Sequence, residues 1–581
     1  MELGMEQKQR NDKTFIPDWI DEPPRPESYR SIFKWGAPDA FKHPNKRLFR
    51  LMKDAFNLTN EDFIKKQNEG DETVRCDRKI KLSKNAIAAL RNIVGNKNMN
   101  TDDYSRVKYS FGKTVEEATK LRNGMVERAA DVVVHPRNKE DVRKVVAYCN
   151  KNRVPICVYG GGSSVTFGLR PSRGGVALVM STHMNKLIEL NESNQTARVQ
   201  PGLMGPAYED ILNYAPEKLG AGRRYTCGHF PQSFEYSSVG GWVITLGSGQ
   251  ASSYYGDAYN LVISQEYVTP AGHIKTLDFP ATATGPKIND IMKGSEGSFG
   301  ICVELTMKIF RYMPKNRQRY ACIFPTWEKA VNACREIAQG EFGMPAVFRI
   351  SDPEETDVAL KLYGIEGTII DAFMKLRGFK QMQRCLFLGT AEGEKSFAKN
   401  IKRQVKKICK RFGGMYITGY PVSQWEHGRY TDPYMREDLQ DYNIMIDTLE
   451  SGVTWDNIDR LHKGVREFIK NRPQTVCMTH ASHFYPQGTN LYFIFIAKMK
   501  DIKEYVRFQD GIIDSINKHG GSLSHHHGVG KMIAPWMDKH LGKEQMAVLR
   551  ALKRHFDPNN IMNPGGQLGL DIRGNEWRKI K

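Results

Sequence analysis

Pro155-Ile-Cys-Val-Tyr-Gly160-Gly-Gly-Ser-Ser-Val165 is a short apolar run that ends abruptly in three glycines and two serines. The pattern predicts a β-strand that leads into a phosphate-binding loop. The glycines lack Cβ atoms, so the backbone can turn sharply and bring several N–H groups against an anion, and the serines add hydroxyl donors. Taken alone, the run is equally compatible with a flexible turn, because glycine and serine are common in loops.

Two more glycine-rich blocks follow along the chain. The second is Gly228-His-Phe-Pro-Gln-Ser-Phe-Glu-Tyr-Ser-Ser238-Val-Gly-Gly-Trp242, continued by Gly247-Ser-Gly249 and Tyr255-Gly256-Asp257. The third is Gly294-Ser-Glu-Gly-Ser-Phe-Gly300-Ile301. Closely spaced small residues suit backbone that lies against a flat or anionic ligand. Three such blocks in order indicate a nucleotide-binding domain, although none has the G-x-G-x-x-G spacing of a Rossmann unit.

Length and charge restrict the class of protein. The chain has 581 residues, 40% of them hydrophobic, and a net charge of +20. This length predicts about two to four separately packed units. The charge favours a phosphorylated ligand or an anionic membrane over nucleic acid, because the chain has no arginine-rich block with interleaved aromatic residues and no nucleic-acid motif.

The cellular compartment is predicted from the cysteines and the two ends of the chain. Ten cysteines without a C-x-x-C pair, and a start without an apolar signal core, favour a reducing cytosol. No stretch reaches the roughly 18 apolar residues of a membrane-spanning helix. The ending Arg578-Lys-Ile-Lys581 is not a peroxisomal signal. We therefore expect a cytoplasmic or peripheral membrane protein, with no organelle address readable.

Changes of pattern divide the chain into four predicted segments. Residues 1–120 are an extended and partly helical wrap, with helical patterning around Asn45–Phe63. Residues 121–310 alternate strands and helices and carry the glycine blocks, and residues 311–520 form an α/β substrate (cap) domain. Residues 521–581 form a C-terminal loop and helical segment that returns to the nucleotide-binding domain. The predicted fold class is α+β.

A basic helix is predicted in the cap domain over Lys395–Phe412. Its apolar residues step by three or four and share one face, whereas eight lysines and arginines cover the opposite side. A solvated surface is the commoner explanation of such a face, and contact with an anionic membrane is the alternative.

The order of the glycine blocks resembles the FAD-binding half of the vanillyl-alcohol oxidase type of flavoenzyme, which has a PCMH-type FAD-binding domain. Phe556-Asp-Pro-Asn-Asn-Ile-Met-Asn-Pro-Gly565 resembles the closing motif of that group. The resemblance implies a two-part FAD-binding domain over residues 121–310 and FAD as the cofactor. The implied cofactor-binding residues are Tyr159, Gly160, Gly161, Gly162, Ser163, Ser164, Val165, Ser238, Gly240, Gly241, Trp242, Gly256, Gly294, Glu296, Gly297, Gly300 and Ile301.

Two further stretches indicate which family within this group of flavoenzymes the chain resembles. Gly521-Ser-Leu-Ser-His525-His526-His527-Gly528-Val-Gly530 and Asn490-Leu-Tyr492-Phe493 are similar to the alkyldihydroxyacetonephosphate synthase family of ether-lipid biosynthesis. That family exchanges the acyl chain of acyl-dihydroxyacetone phosphate for a long-chain fatty alcohol, without net oxidation. The resemblance implies that flavin N5 acts as the nucleophile. It also implies those two lipids as partners.

Two other functions stay open from the sequence. The first is an FAD-dependent oxidase or dehydrogenase of a hydroxy acid or alcohol, because the same flavin domain supports hydride transfer in many relatives. The second is a non-catalytic lipid-binding protein, which rests only on the basic helix and the net charge. A homodimer is expected by resemblance alone.

The resemblance also implies catalytic residues. Tyr492 is the candidate base for the proton on the carbon that bears the acyloxy group, provided that cationic neighbours lower its pKa from about 10. His525, His526 and His527 are assigned to the substrate phosphate and to proton transfer. Consecutive residues of an extended segment point to alternate faces, so we expect that not all three reach one ligand. Bare adjacency is not metal-ligand spacing, and no metal is predicted.

Three residues are the implied substrate contacts. Arg349 and Arg436 are assigned to the phosphate, since a guanidinium group binds two oxygens at once. His229 matches a family histidine near the flavin. Each of the three also has an ordinary structural explanation, as a surface, ion-paired or core residue.

The chain departs from the animal members of the family in two places. His480-Ala-Ser-His483-Phe-Tyr485-Pro-Gln-Gly488 differs from their usual run, and Asn490 stands where a cysteine is common. These differences, together with Arg47-Leu48 lacking the later partner of an amino-terminal peroxisomal address, suggest a microbial relative. They bear on the substrate more than on the flavin.

Overall fold

The computed structural model describes residues 15–566. The start of the chain and the Arg578–Lys581 ending considered above lie outside the described residues. Within the described range, no helix combines the length and the apolar character that crossing a membrane requires.

The strand Ile156–Tyr159 carries the first glycine loop, as the sequence predicts. It is the edge strand of a four-stranded sheet, in the order Met99–Asn100, Val132–Val134, Val176–Val179, Ile156–Tyr159. The three longer strands are parallel and mostly buried, as expected for a sheet covered on both faces. The helix Lys139–Asn152 packs on this sheet and begins at Asn138, whose side chain accepts the N–H of Asp141.

The second part of the FAD-binding half is a five-stranded antiparallel sheet. Its order is Leu187–Asn191, Thr196–Val199, Ile301–Lys308, Val262–Thr269, Gly272–Lys275. Short helices connect and cover it, and a two-stranded pair lies beside it. The helices are Gly205–Asn213, Ala215–Leu219, Val239–Ile244, Ser252–Tyr255, Ala258–Leu261 and Ile288–Met292, and the pair is Tyr225–Thr226 with Phe310–Arg311.

The cap is built on a seven-stranded sheet. The strand order is Met415–Ile417, Gln318–Phe324, Cys385–Ala391, Phe348–Ser351, Thr475–Tyr485, Gly488–Lys498, Ile444–Thr454. Every neighbouring pair is antiparallel, so the predicted alternation of strands and helices does not produce parallel strands here. The helices are Trp327–Ala338, Pro353–Leu362, Ile369–Leu376, Lys395–Arg411, Tyr420–Gly428, Met435–Gln440, Ile458–Lys470 and Ile502–Lys518.

The register of the cap sheet decides which side chains share a face. Tyr492 stands directly opposite Glu450 on one side and opposite His480 on the other. Directly opposed residues of antiparallel strands point to the same face of the sheet. This row of three side chains faces the FAD-binding half.

The N-terminal segment is more helical than its polar sequence predicts. Its helices are Tyr29–Phe33, Lys46–Phe56, Lys84–Val94, Asp103–Lys108 and Val115–Arg122. Leu48, Phe49 and Met52 are buried in a cluster shared with cap residues such as Tyr442. The apolar face of Lys46–Phe56 is therefore covered by the cap, and this tertiary packing stabilises the helix that the pattern around Asn45–Phe63 predicts.

The C-terminal segment returns to the first sheet. After the helices Met537–Leu541 and Lys543–Phe556, the chain pairs with the edge strand, where the N–H of Ile156 donates to the carbonyl of Ile561 (2.7 Å). The N–H of Asn563 donates to the carbonyl of Ile156 (2.8 Å). The α+β class and the two-domain architecture agree with the prediction, whereas the division into four segments stays a prediction.

Candidate active site

One cavity lies between the glycine loops and the cap sheet. Its wall on the FAD-binding side includes residues 160–166, Ser237, Ser238, Gly241, Trp242, Ser248, Glu296 and Asn563. Its wall on the cap side includes Phe348, Arg349, Arg436, Ile446, Thr448, His480, His483, Tyr492, Ile494, His526 and His527. Trp35 reaches it from the N-terminal segment. Residues from every part of the chain thus meet at one place.

The first glycine loop fits a phosphate-bearing cofactor. A Cβ on Gly160 would lie 2.4 Å from Ser238 Oγ, and one on Gly161 would lie 2.3 Å from the Tyr236 carbonyl oxygen, so only glycine allows this close packing. Among the described residues, no acceptor is found for the backbone N–H groups of residues 161–165. A row of free N–H groups on a cavity wall is the donor set that a pyrophosphate requires.

The predicted cofactor residues divide into two groups. Gly160, Gly161, Gly162, Ser163, Ser164, Val165, Ser238, Gly241, Trp242 and Glu296 line the cavity. The cavity wall does not include Tyr159, Gly240, Gly256, Gly294, Gly297, Gly300 or Ile301. Tyr159 packs edge-on against Tyr109, and Ile301 is buried in the core, so members of the second group shape the loops from behind.

Two arginines present unpaired groups to the cavity. Arg349 is held by an ion pair with Glu355, and Arg436 Nη1 donates to the Lys113 carbonyl (2.9 Å). The Nε atom of each arginine is buried and has no partner among the described residues. A buried N–H without an acceptor is costly, so both groups are expected to bind a ligand that enters the cavity.

The three histidines lie on a loop that is held by the carboxylate of Glu450, a residue that no sequence motif indicates. The backbone N–H groups of His525, His526 (3.1 Å) and His527 (2.9 Å) all donate to the Glu450 carboxylate, which also accepts from Ser524 Oγ (2.7 Å). The segment is therefore not extended, and the predicted alternation of faces is wrong. His526 and His527 line the cavity, and His525 stands behind them.

The charge on Glu450 is stabilised by this loop. Burial alone would raise its pKa, but the neighbouring imidazoles and the hydrogen bonds of the loop lower it below the ordinary 4.5. Glu450, His525 and His526 each have one side-chain atom that could bind a metal ion, and these three atoms lie within 4.8 Å of one another. Because both carboxylate oxygens already accept hydrogen bonds from the loop, their role is to hold it in place.

Tyr492 lies at the centre of the ring cluster. Its ring stacks on His480 (centroids 4.9 Å apart) and on His526 (6.0 Å), and its hydroxyl donates to Thr448 Oγ1 (3.0 Å). Burial raises the pKa of Tyr492 to about 12. The expectation that cationic neighbours lower this pKa is wrong for the protein without bound ligands. Loss of hydration on burial raises the pKa by more than the charge of Arg436 lowers it.

His229 is not among the residues that line the cavity. It is buried against Trp242, with ring centroids 4.7 Å apart, and neither ring nitrogen has a partner among the described residues. Burial lowers its pKa to about 4, so the ring is neutral. Its position supports the flavin side of the site through Trp242 and does not support direct contact with the substrate.

Two family models match the chain. Residues 130–278 match the model described as FAD binding domain, and residues 313–566 match the model for the C-terminal domain of FAD linked oxidases. The fold and the cavity therefore define an FAD-linked enzyme with two domains around one site, and the FAD prediction is confirmed.

Several of the similar proteins share one name. The chain is 34% identical to alkyldihydroxyacetonephosphate synthase of Dictyostelium discoideum, over 80% of this chain and 77% of that protein. It is 30% identical to the protein of the same name from Caenorhabditis elegans, over 82% of each chain. A solved alkyldihydroxyacetonephosphate synthase structure matches with a TM-score of 0.73 at 27% identity, over 89% of this chain and 92% of that one. The chain belongs to the alkyldihydroxyacetonephosphate synthase family.

Replacing the Glu450 carboxylate tests its hold on the histidine loop. Glu450→Gln removes the charge and one acceptor oxygen, so we expect faster hydrogen exchange in the peptide that covers residues 524–530, by mass spectrometry. A donor left unsatisfied in this buried place costs about 1–3 kcal/mol. Glu467→Gln, at an exposed position of Ile458–Lys470, is the matched control and should leave exchange unchanged.

The same contact predicts a pH dependence. Because the folded-state pKa of Glu450 is lowered, its contribution to stability is present above pH 4.5 and is lost as the pH falls below that value. Exchange in residues 524–530 of the unmodified protein should therefore rise on acidification below pH 4.5, and this rise should be smaller in Glu450→Gln. Equal exchange in both proteins at every pH would show that Glu450 does not hold the loop.

Proposed function

We propose that this protein makes ether lipids by exchanging the acyl chain of acyl-dihydroxyacetone phosphate for a long-chain fatty alcohol. The observation that carries the proposal is the set of groups that line the cavity between the glycine loops and the cap sheet. Two unpaired guanidinium Nε atoms and a cluster of neutral proton-transferring rings face one space beside the FAD loops. A phosphorylated ketone that must lose and regain a proton needs this combination.

The phosphate end of the substrate is assigned to Arg349 and Arg436. Their Nε–H groups are pre-positioned by Glu355 and by the Lys113 carbonyl, so little side-chain freedom is lost on binding. The aliphatic chain is assigned to the apolar part of the wall, which includes Phe348, Ile446 and Ile494.

Proton transfer at the acyloxy-bearing carbon is assigned to His526 and Tyr492. Burial lowers the pKa of His526 well below 6.5, so its ring is neutral at physiological pH and can accept a proton. Tyr492 keeps its proton under the same conditions because its pKa is about 12, and it acts as a hydrogen-bond donor. His527, whose ring is edge-on to Tyr492 at 5.7 Å, completes the cluster.

FAD would be held by the N–H groups of residues 161–165 and by the small residues of the second block, and it supplies the nucleophilic centre of the exchange. The chain's own residues orient the phosphate, store the substrate proton and return it. Since the exchange has no net oxidation, no electron acceptor is needed.

The function is tested under argon with the purified flavoprotein, acyl-dihydroxyacetone phosphate and labelled hexadecanol. We expect labelled alkyl product and free fatty acid in equal amounts without any electron acceptor. Tyr492→Phe keeps the ring stacking but loses the donor, and turnover should fall by about 10²-fold or more with flavin content unchanged. Tyr320→Phe, at a buried tyrosine of the same sheet, is the matched control.

Two results would contradict the proposal. One is bleaching of the flavin by a hydroxy acid or alcohol with no ether product, which would make the protein an oxidase or dehydrogenase. The other is equal turnover of Tyr492→Phe and Tyr320→Phe, which would remove Tyr492 from the chemistry.

The lipid substrates also imply a membrane contact, and we assign it to one edge of the cap. The helix Ile369–Leu376 exposes Ile369 (88%), Ile370 (57%), Phe373 (48%) and Leu376 (86%). Apolar side chains on an exposed helix face are the anchor of an interfacial helix. The adjoining Lys380 and Arg377 are exposed and basic, which favours an anionic lipid surface.

The predicted basic helix lies near this apolar helix. Met374 packs in a small cluster with Met415, and the next residue, Tyr416, lies beneath Lys406 of Lys395–Arg411 (3.7 Å from Nζ to the ring centroid). That helix buries Ile401, Val405 and Ile408, as its spacing predicts, together with Ala398 and Cys409, and turns its lysines outward. Apolar and basic groups thus occur together at one edge.

Vesicle sedimentation tests the membrane contact. The double variant Ile369→Asp with Leu376→Asp should weaken binding to phosphatidylglycerol-containing vesicles by about 10-fold or more, because it places two charges in the apolar layer. Leu277→Asp with Phe279→Asp, at residues that are 68% and 60% exposed outside the cap, is the matched control. Equal binding of the two variants would assign the contact to another surface.

A further inference from the structure

A chain of hydrogen bonds runs from a buried carboxylate of the FAD-binding half to His526. The Tyr485 hydroxyl lies 2.6 Å from Asp257 Oδ2 and 2.8 Å from His525 Nε2. His525 Nδ1 lies 3.1 Å from His526 Nδ1. Neither Tyr485 nor His525 is among the residues that line the cavity, so the chain reaches the site from behind.

The donor and the acceptor in each of the first two hydrogen bonds follow from the number of protons that each group carries. An ionised carboxylate only accepts hydrogen bonds, and a phenol has one proton to donate. Asp257 accepts hydrogen bonds from two hydroxyl groups, from Tyr485 on Oδ2 and from Ser248 on Oδ1, and these bonds stabilise the ionised carboxylate. Tyr485 therefore donates to Asp257 and must accept from His525 Nε2, so His525 carries a proton on Nε2.

The two facing Nδ1 atoms have room for one proton between them. On His525 this proton would make a doubly protonated ring, whereas on His526 it leaves both rings neutral. The Glu450 carboxylate, 3.7 Å from His526 Nδ1, also favours a proton at that position. With Nδ1 protonated, the Nε2 atom of His526 keeps a free lone pair.

A second branch from Asp257 reaches another cavity histidine. Ser248 Oγ donates to Asp257 Oδ1 and lies 2.7 Å from His483 Nδ1. Ser252 Oγ lies 2.8 Å from the same His483 Nδ1 atom and can donate to it, so Asp257 alone does not determine the tautomer of His483.

We propose that Asp257 and Tyr485 are positioning residues that hold His526 in the Nδ1–H tautomer, with Nε2 free to accept the substrate proton. His525, assigned from the sequence to catalysis, is a link in this chain and does not contact the substrate. The proton-accepting step rests on the proposed function, whereas the tautomer does not.

The tautomer is measured by ¹⁵N NMR of the holoenzyme labelled in the imidazole rings. His526→Gln removes one pair of resonances and so assigns them. At neutral pH we expect a protonated Nδ1 and an unprotonated Nε2 on His526. A protonated Nε2 with a bare Nδ1 would overturn the proposal whether or not the protein makes ethers.

Asp257→Asn is the sharpest variant. An asparagine side chain has one acceptor oxygen and one N–H₂ group, so it cannot accept from both Tyr485 and Ser248. When the amide nitrogen faces Tyr485, it donates to the phenol oxygen, Tyr485 donates to His525 Nε2, and the shared proton moves to His525 Nδ1, which leaves His526 protonated on Nε2. Holding a catalytic imidazole in the wrong tautomer predicts a fall in kcat of about 10³-fold or more, with KM nearly unchanged. Asp459→Asn, exposed on Ile458–Lys470, is the matched control.

The double variant separates positioning from a merely structural role. Tyr485→Phe removes the hydroxyl that links Asp257 to His525 and reverses no hydrogen bond. We therefore expect a smaller fall in kcat, of about 10-fold. In Asp257→Asn with Tyr485→Phe the amide oxygen is free to face Ser248, so no branch is forced to reverse. The double variant should therefore be as active as Tyr485→Phe and more active than Asp257→Asn. A fall in kcat of the double variant equal to the product of the two single-variant falls would overturn the proposal.

Failure of the proposed function gives a different result. If the unmodified protein makes no ether while the NMR spectrum shows the Nδ1–H tautomer that Asp257→Asn alters, the exchange reaction is wrong and the role of Asp257 in setting the tautomer stands.

Discussion

Two carboxylates, one from each domain, hold the two ends of the loop of residues 524–530 by hydrogen bonds. The rest of the site depends on this arrangement. Glu450 of the cap sheet accepts hydrogen bonds from Ser524 and from the three histidine N–H groups. Glu296 of the third glycine block accepts the N–H groups of Val529 (2.7 Å) and Gly530 (2.8 Å). The loop therefore joins the domains and fixes the histidine rings at their boundary.

This arrangement suits a reaction that transfers protons and has no net oxidation or reduction. Burial keeps Tyr492 protonated and His526 neutral, so the site contains a donor and an acceptor without a large charge between them. The fixed charges stand at the edges, on Arg349 and Arg436 in the cavity wall and on Glu450 and Asp257 behind the rings. Carboxylates that orient the rings from behind can therefore act without competing for the substrate.

The strand before Gly160 and the helices around Asn45–Phe63 and Lys395–Phe412 could be predicted from the sequence, because they depend on neighbours along the chain. The roles of Glu450, Asp257 and Tyr485 depend on which strands and loops meet across the domain boundary. The opposition of Glu450 and Tyr492 follows from an eleven-residue antiparallel register between distant strands, which no local pattern indicates. Likewise, the direction of the pKa shift of Tyr492 follows from its burial, and only the assembled site reveals that.

The central claim is that the alcohol replaces the fatty acid at carbon and that no electrons are lost. Hexadecanol labelled with ¹⁸O, supplied to the holoenzyme under argon with acyl-dihydroxyacetone phosphate, tests this claim most directly by mass spectrometry. The account predicts that the ether oxygen carries the label, that the released fatty acid is unlabelled and that the flavin stays oxidised at the end of the reaction. An unlabelled ether oxygen, or a reduced flavin without ether, would contradict it.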